Sequence, residues 1–317
     1  MKRVLISGGS GFIGSTFIRK FVNEHPDDIL INVDCLTYAA QKETFEHKNY
    51  VFIKEDITNL NIDNIFNEYK PTHVIHMAAE SHVDNSLDFN TINTFVHTNV
   101  EGTLNLLKSS VKHNVQRFLY VSTDEVYGSM ADGQSADENT LLNPRNPYSA
   151  SKASGEHFVN AFHNSFGLDT VITRCTNNMG KYQHEEKMIP RSIKKLLNDE
   201  PITLYGSGTQ SREWIHTSDH CEGIMTVLQR GFSGEIYNIT GGTSKTNIEI
   251  AHLLCKYLDK NPKKYIINVE DRPGHDARYS IKSDKIGTLG YYPGVSFEHG
   301  LESTVNWYVK QHNKEKS

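Results

Sequence analysis

Short apolar runs alternate with longer amphipathic segments through the first half of the chain. The runs "RVLIS" (3–7), "ILINVD" (29–34), "YVFIKED" (50–56), "THVIHMA" (72–78) and "RFLYVST" (117–123) are rich in Val, Ile, Leu and Phe. Near-continuous apolar runs of this length predict strands buried on both faces. "FIGSTFIRKFVNE", "NTFVHTNVEGTLNLLKSSVKH" and "YSASKASGEHFVNAFHNSFG" instead repeat their apolar residues at helical spacing, and the last ends at Gly167, a fitting C-cap. "DTVITRC" (169–175) predicts the next strand. Strand, helix, strand repeated in this way predicts an α/β fold around a doubly wound parallel sheet.

After about residue 176 the pattern breaks up. "EKMIPRSIKKLLN", "ITLYGSGTQSREWIHTSDH", "GEIYNITGG" and "DRPGHDARY" are short pieces separated by Gly, Pro and polar residues. Helical spacing persists in "HCEGIMTVLQ", "NIEIAHLLCKYL" and "FEHGLESTVNWYVKQ". We therefore expect residues 1–176 to form a nucleotide-binding domain that also carries the chemistry. Residues 177–317 are expected to form mainly a smaller substrate lobe, with some segments returning to the sheet. No linker, repeat or low-complexity segment separates the two.

Composition adds exclusions. With 317 residues and a formal net charge of −5, the chain has no global basic field to attract nucleic acid. No apolar run approaches the roughly 20 residues that cross a bilayer, and the basic-then-apolar start breaks into glycines too early for a signal peptide. Cys35, Cys175, Cys221 and Cys255 are widely spaced, which suggests free thiols in a reducing cytoplasm. The 16 histidines show no metal-ligand spacing, so no metal is expected.

Three motifs carry chemistry. "SGGSGFIG" places Gly8, Gly11 and Gly14 between a predicted strand and a predicted helix. Such glycines allow a tight turn, close approach of a pyrophosphate and close helix–strand packing. Asp34 ends the second strand, where an acid bonds ribose hydroxyls and disfavours a 2′-phosphate, so NAD is expected over NADP. In "YSASK", Tyr148 and Lys152 lie four apart and share a helix face. A nearby ammonium lowers a phenol's pKa from about 10 and makes it a usable base. "STDEVYG" sets two acids, Asp124 and Glu125, directly after a buried strand. Alone it reads equally well as a solvated strand end.

In this order the motifs resemble the extended short-chain dehydrogenase/reductase family with its Rossmann-type fold. Within it, "VDCLTYA", "HMAAESHVDNSL", "STDEVYG", "NPYSASKA", "EKMIP", "YGSGTQSREW" and "DRPGHDARY" resemble the dTDP-glucose 4,6-dehydratases over nearly the whole chain. The acid pair discriminates most. Related nucleotide-sugar epimerases typically lack both acids, and related decarboxylases keep only the glutamate. The resemblance implies oxidation at sugar carbon 4, elimination of water across carbons 5 and 6, and hydride return to carbon 6. Thr123, Tyr148 and Lys152 would serve the oxidation, Glu125 would be the base at carbon 5, and Asp124 the acid for the carbon 6 hydroxyl. The product would feed rhamnose-type deoxysugars for polysaccharide.

The same resemblance implies that NAD contacts Phe12, Ile13, Cys35, Leu36, Thr37, Asp56, Ile57, Ala78, Ala79, Glu80, Ser81, Thr98 and Asn178 besides the residues above. It implies that Ser81, Thr123, Asn177, Lys187, Met188, Thr203, Tyr205, Arg212, Asn247, Arg272 and His275 hold the nucleotide sugar. A homodimer joined by a four-helix bundle is also implied. "RCTNNMGKYQHEEK" departs from the family run around Met179, Lys181 and His184, and Glu213 replaces a more usual aspartate, so the base and sugar stay open. A dehydratase of a UDP- or GDP-linked hexose, an epimerase or decarboxylase, and an NAD-binding sensor without turnover are the competing readings.

Overall fold

The computed structural model describes residues 1–41, 45–271 and 276–316. Strands β1 (Arg3–Ser7), β2 (Ile29–Asp34), β3 (Tyr50–Lys54), β4 (His73–His76), β5 (Arg117–Thr123) and β6 (Thr170–Cys175) fall where the apolar runs predict. Three short strands follow in the later region, β7 (Asn177–Met179), β8 (Ile202–Tyr205) and β9 (Ser211–His216). Then come β10 (Ile236–Ile239), β11 (Thr243–Thr246) and β12 (Ile266–Val269). The main sheet has the order β10-β6-β5-β4-β1-β2-β3, and every described pairing in it is parallel. The order reverses between β1 and β4, which opens a crevice at the carboxyl ends of those strands.

Successive strand residues point to opposite faces, so the sheet builds two cores. Val4, Ile6, Leu119 and Val171 pack with helix α1 (Phe12–Glu24) through Phe17 and Phe21. Leu5, Val74, Phe118 and Ile172 pack on the other face with α2 (Ile62–Tyr69), α3 (Thr103–Lys112) and α4 (Pro147–Phe166). The late region supplies α5 (Met188–Leu197), α6 (Thr217–Arg230), α7 (Asn247–Tyr257) and α8 (Phe297–Glu315). Ile224 and Val227 of α6 join the α1 face, and β10 extends the main sheet. A third core joins α5, α7 and α8 through Ile193, Leu254 and Leu301.

Two elements differ from the sequence expectation. The segment expected as one helix before β5 contains a π-helical stretch, His97–Gly102, between Ile92–Val96 and α3. The wider turn sets Asn99 inward, fully buried, and brings Gly102 so near Ile57 that a Cβ there would lie 2.6 Å from its Cδ1. Helix α2 was not foreseen, although Ile62, Ile65 and Phe66 share one buried face.

β6 is tied to α4 by a buried ion pair. Arg174 Nη2 lies 2.6 Å from Glu156 Oε2, with side chains 3% and 1% exposed. Arg174 Nη1 donates to the Tyr127 hydroxyl, which donates to Asn238 on β10. Removing one partner of such a pair strands a buried charge at a cost of about 3–5 kcal/mol. Glu156→Gln is therefore expected to lower the urea midpoint with an unchanged slope, and an unchanged midpoint would remove the pair from the forces holding α4 to the sheet.

Candidate active site

The β1–α1 turn is shaped by its glycines. Gly8 sits at φ +75°, and a Cβ there would lie 2.6 Å from the Ala78 Cα. A Cβ on Gly14 would lie 2.4 Å from the Gly8 carbonyl oxygen, so the helix start packs directly on the turn. Gly11 caps α1 and lines the crevice, where a Cβ would lie 3.3 Å from the Gly8 carbonyl oxygen. Asp34 Oδ2 accepts from the Ser10 N–H at 2.9 Å and Oδ1 from the Leu36 N–H at 2.8 Å. Burial pushes the Asp34 carboxyl up, and those two backbone donors pull it back.

Across the switch point, β5 keeps its pairing with β6 up to Thr123 and Cys175. The chain then turns into a 3-10 segment, Asp124–Tyr127, whose first N–H groups are capped by Thr123 Oγ1 accepting from Glu125 N at 3.3 Å. This tight turn aims both acids into one cavity. Asp124 is 2% exposed, and its Oδ2 has no hydrogen-bond partner among the described residues. Burial, reinforced by Glu125, raises its pKa well above the usual carboxylate range, with Arg212 opposing. Glu125 is half-buried, and its Oε2 accepts from Asn146 Nδ2 at 3.2 Å.

Asn146 also begins α4, with Pro147 in its first turn and a capping box to Ser149. One turn in, Tyr148 and Lys152 face the same cavity. Lys152 Nζ donates to the Val121 carbonyl at 2.8 Å and lies 4.2 Å from the Tyr120 ring centroid. Burial draws its pKa down to about 8. Tyr148 departs from expectation here. Burial and Glu125 raise its pKa well above the usual phenol range, while a hydrogen bond with Thr123 opposes. Burial and the Glu125 carboxylate hold the phenol neutral in this state.

These groups share a cavity of about 550 Å³. From the β1–α1 turn and the next strand ends it is lined by Gly8, Gly11, Phe12, Ile13, Gly14, Asp34, Cys35, Thr37, Asp56 and Ile57. Ala78, Ala79, Glu80, Ser81, Thr98, Thr123, Asn177, Asn178, Lys187 and Met188 line it as well, with the acids, Tyr148 and Lys152. Lys187 Nζ spans the cleft to donate to the Ser81 carbonyl at 2.8 Å. Leu36, Thr203, Tyr205, Arg212 and Asn247 stand outside the lining. Arg212 is buried under Asp276, donating to its carbonyl at 3.0 Å. Arg272 and His275 lie outside the described residues.

Sequence reasoning missed Asn99, whose side chain holds Glu80 N and O and the Ser151 hydroxyl, and through Ser151 the Tyr148 carbonyl. A lone polar residue at an inward helical position was its one signal. Of the departing positions, Met179 is buried in the lobe core, Lys181 is exposed, and His184 packs edge-on against Tyr38 at 5.3 Å. Glu213 is buried, accepting from Thr240 at 2.7 Å and Ser280 at 2.5 Å.

The residues present fit a dinucleotide such as NAD. A Cβ would fill the Gly8–Gly14 cradle, open backbone donors begin α1, and Asp34 stands at the strand end that receives an adenosine ribose. Fold and site together define a short-chain dehydrogenase/reductase of the extended kind. Residues 5–304 match the family model described as GDP-mannose 4,6 dehydratase, and the chain belongs to this dehydratase family, among its dTDP-glucose 4,6-dehydratases. The dTDP-glucose 4,6-dehydratase of Haemophilus influenzae is 43% identical over 98% of both chains. The solved dTDP-glucose 4,6-dehydratase DesIV of Streptomyces venezuelae, with NAD bound, is 42% identical with a TM-score of 0.93 over 98% of both chains. A UDP-glucose 4-epimerase from Thermotoga maritima superposes almost as well, TM-score 0.91 over 98% of this chain and 99% of its own, at 26% identity. The fold alone therefore does not choose between dehydratase and epimerase.

The state of Asp124 is testable through stability. The unfolded chain releases this proton near pH 4, whereas the folded chain releases it only at higher pH. Folding thus retains a proton, and this carboxyl subtracts stability as pH rises above about 4. Asp124→Asn removes that loss. Its stability relative to the parent, from urea unfolding, is expected to improve from pH 5 to pH 8. An identical difference at both pH values would show that Asp124 ionises like an exposed acid.

Proposed function

We propose that this chain converts dTDP-glucose to dTDP-4-keto-6-deoxyglucose and water, using NAD, and that the two acids after β5 carry the distinction from its epimerase-like neighbours. The supporting observation is their unequal environment: Asp124 is buried with no hydrogen-bond partner for Oδ2 among the described residues, while Glu125 is half-buried and accepts from Asn146. NAD, held by the Gly8–Gly14 turn and Asp34, supplies a hydride acceptor for sugar carbon 4 and a donor to carbon 6. Tyr148, bonded to Thr123, would first lose its own proton to solvent, favoured by the positive nicotinamide ring of bound NAD and by Lys152 on the same helix face, and as the phenolate take the carbon 4 hydroxyl proton. The resulting ketone acidifies carbon 5. Glu125 accepts that proton as the carbon 5–hydrogen bond breaks. Asp124 gives its proton to the carbon 6 hydroxyl, which leaves as water, and with the hydride delivered to carbon 6 the proton held by Glu125 returns to carbon 5.

Lys187 and Arg212 are proposed to hold the diphosphate as point charge and planar fork, with Asn177, Met188, Thr203, Tyr205 and Asn247 around the nucleotide. Residues 1–176 then carry cofactor and chemistry, and residues 177–317 mainly the substrate. The protein is proposed to work in the cytoplasm. No helix among the described residues is long and apolar enough to cross a membrane. Three of the four free cysteines are buried, which suits a reducing compartment.

Parallel incubation with dTDP-, UDP- and GDP-linked hexoses, read by mass spectrometry, is expected to show loss of water with dTDP-glucose foremost. Asp124→Asn and Glu125→Gln are expected to slow that loss by about 10²–10⁴-fold. Both variants should still oxidise carbon 4, so a borodeuteride quench labels carbon 4 of undehydrated sugar, whereas Tyr148→Phe gives no label. Acid variants that dehydrate at the parent rate would falsify the dehydratase reading.

We also propose a homodimer through the helices around α3 and α4. Leu87, Phe89, Val96, Phe158 and Phe166 are exposed there, and Phe89 is 91% exposed. Light scattering at micromolar concentration is expected to give twice the chain mass, and Phe158→Glu to give monomers. A monomeric parent would overturn the assembly.

A further inference from the structure

The side chain of Asn146 makes two contacts of different purpose. Its Oδ1 accepts from the Ser149 N–H at 2.8 Å, closing the cap of the helix that carries Tyr148. Its Nδ2 donates to Glu125 Oε2 at 3.2 Å. The two partners fix the amide orientation, because a flipped amide would set its oxygen against a carboxylate and its NH₂ against an N–H donor. Among the described residues Glu125 Oε1 takes no hydrogen bond, and Glu125 lines the cavity. The Tyr279 hydroxyl stands farther from the same Oε2, at 3.4 Å, and lies 2.5 Å from Asp276 Oδ2, to which it donates.

We infer that Asn146 is a positioning residue that holds Oε2 of the elimination base, points its free Oε1 at the substrate, and locks that base in register with the oxidation base Tyr148. The inference rests on the proposed dehydratase chemistry. Capping alone does not call for asparagine here. Ser and Asp cap helices about as well. Serine is too short to reach Glu125 while capping, and aspartate would set a second carboxylate against it. Of the strong caps, only asparagine offers an acceptor to the helix and a donor to the base.

The test separates capping from positioning. Asn146→Ser keeps the cap and loses the donor. Its urea midpoint is expected to match the parent, its carbon 4 oxidation by deuteride quench to be retained, and its solvent deuterium exchange at carbon 5 to fall about 10- to 100-fold, the scale of a misdirected catalytic group. Asn146→Asp also keeps the cap but places like charge beside Glu125. The acid limb of its exchange–pH profile is expected to move to higher pH. Asp124, Tyr148, Lys187 and Tyr279 with Asp276 behind it face Glu125 from the other elements and are unchanged in both variants. Glu125→Gln is the control. If it retains exchange, the dehydratase reading itself fails. If it abolishes exchange while Asn146→Ser exchanges at the parent rate, Asn146 is a cap only and the inference is overturned.

Discussion

The cavity depends on the meeting of Gly8 with Ala78, where β1 and β4 end side by side. No atom beyond the backbone fits between them: a single Cβ on Gly8 would lie 2.6 Å from Ala78. That contact sets the floor of the crevice at the point where strand order reverses. From it the turn leads into α1 on one side and the Ala78–Ser81 loop on the other. The cavity, the open donors at the start of α1 and the reach of Asp34 all follow from two strand ends held so closely that only backbone separates them.

Two buried acids show how one fold uses burial in opposite ways. Glu156 meets Arg174 in several hydrogen bonds and ties α4 to β6, so its burial serves structure. Asp124, equally buried, has no partner for one oxygen, so desolvation is left uncompensated and its pKa climbs. The second is a poor arrangement for stability and a good one for the proton donor proposed above. The ion-paired acid stands outside the cavity lining, and the acid with one oxygen left without a partner lines it.

The near-equal superposition with an epimerase places the specificity of chemistry in a few side chains rather than in the backbone. The same sheet and turn can present a sugar to a hydride acceptor in either enzyme. In the proposed mechanism, what changes the outcome is whether carboxyls stand where carbons 5 and 6 would lie. Here the 3-10 turn after β5, capped by Thr123, delivers them together, and the helix cap at Asn146 ties one of them to the tyrosine.

Much of this was legible in the chain. The apolar runs fixed six parallel strands nearly to the residue, because strands buried on both faces leave little room for polar interruption. Gly8, Gly14 and Asp34 could be read from spacing because backbone approach and a strand end are local properties. The alternation also hinted that late segments return to the sheet, as β10 does. Helix α2 was readable and overlooked. The sequence by itself did not determine the π-turn at His97–Gly102, the neutral state held for Tyr148, or the sharing of Asn146 between a cap and a carboxylate. Each depends on what a distant segment brings close: Ile57 against Gly102, burial and Glu125 acting on Tyr148, Glu125 beside Asn146. Charge states and shared hydrogen bonds are sums over neighbours in space, and only the packed structure supplies those neighbours.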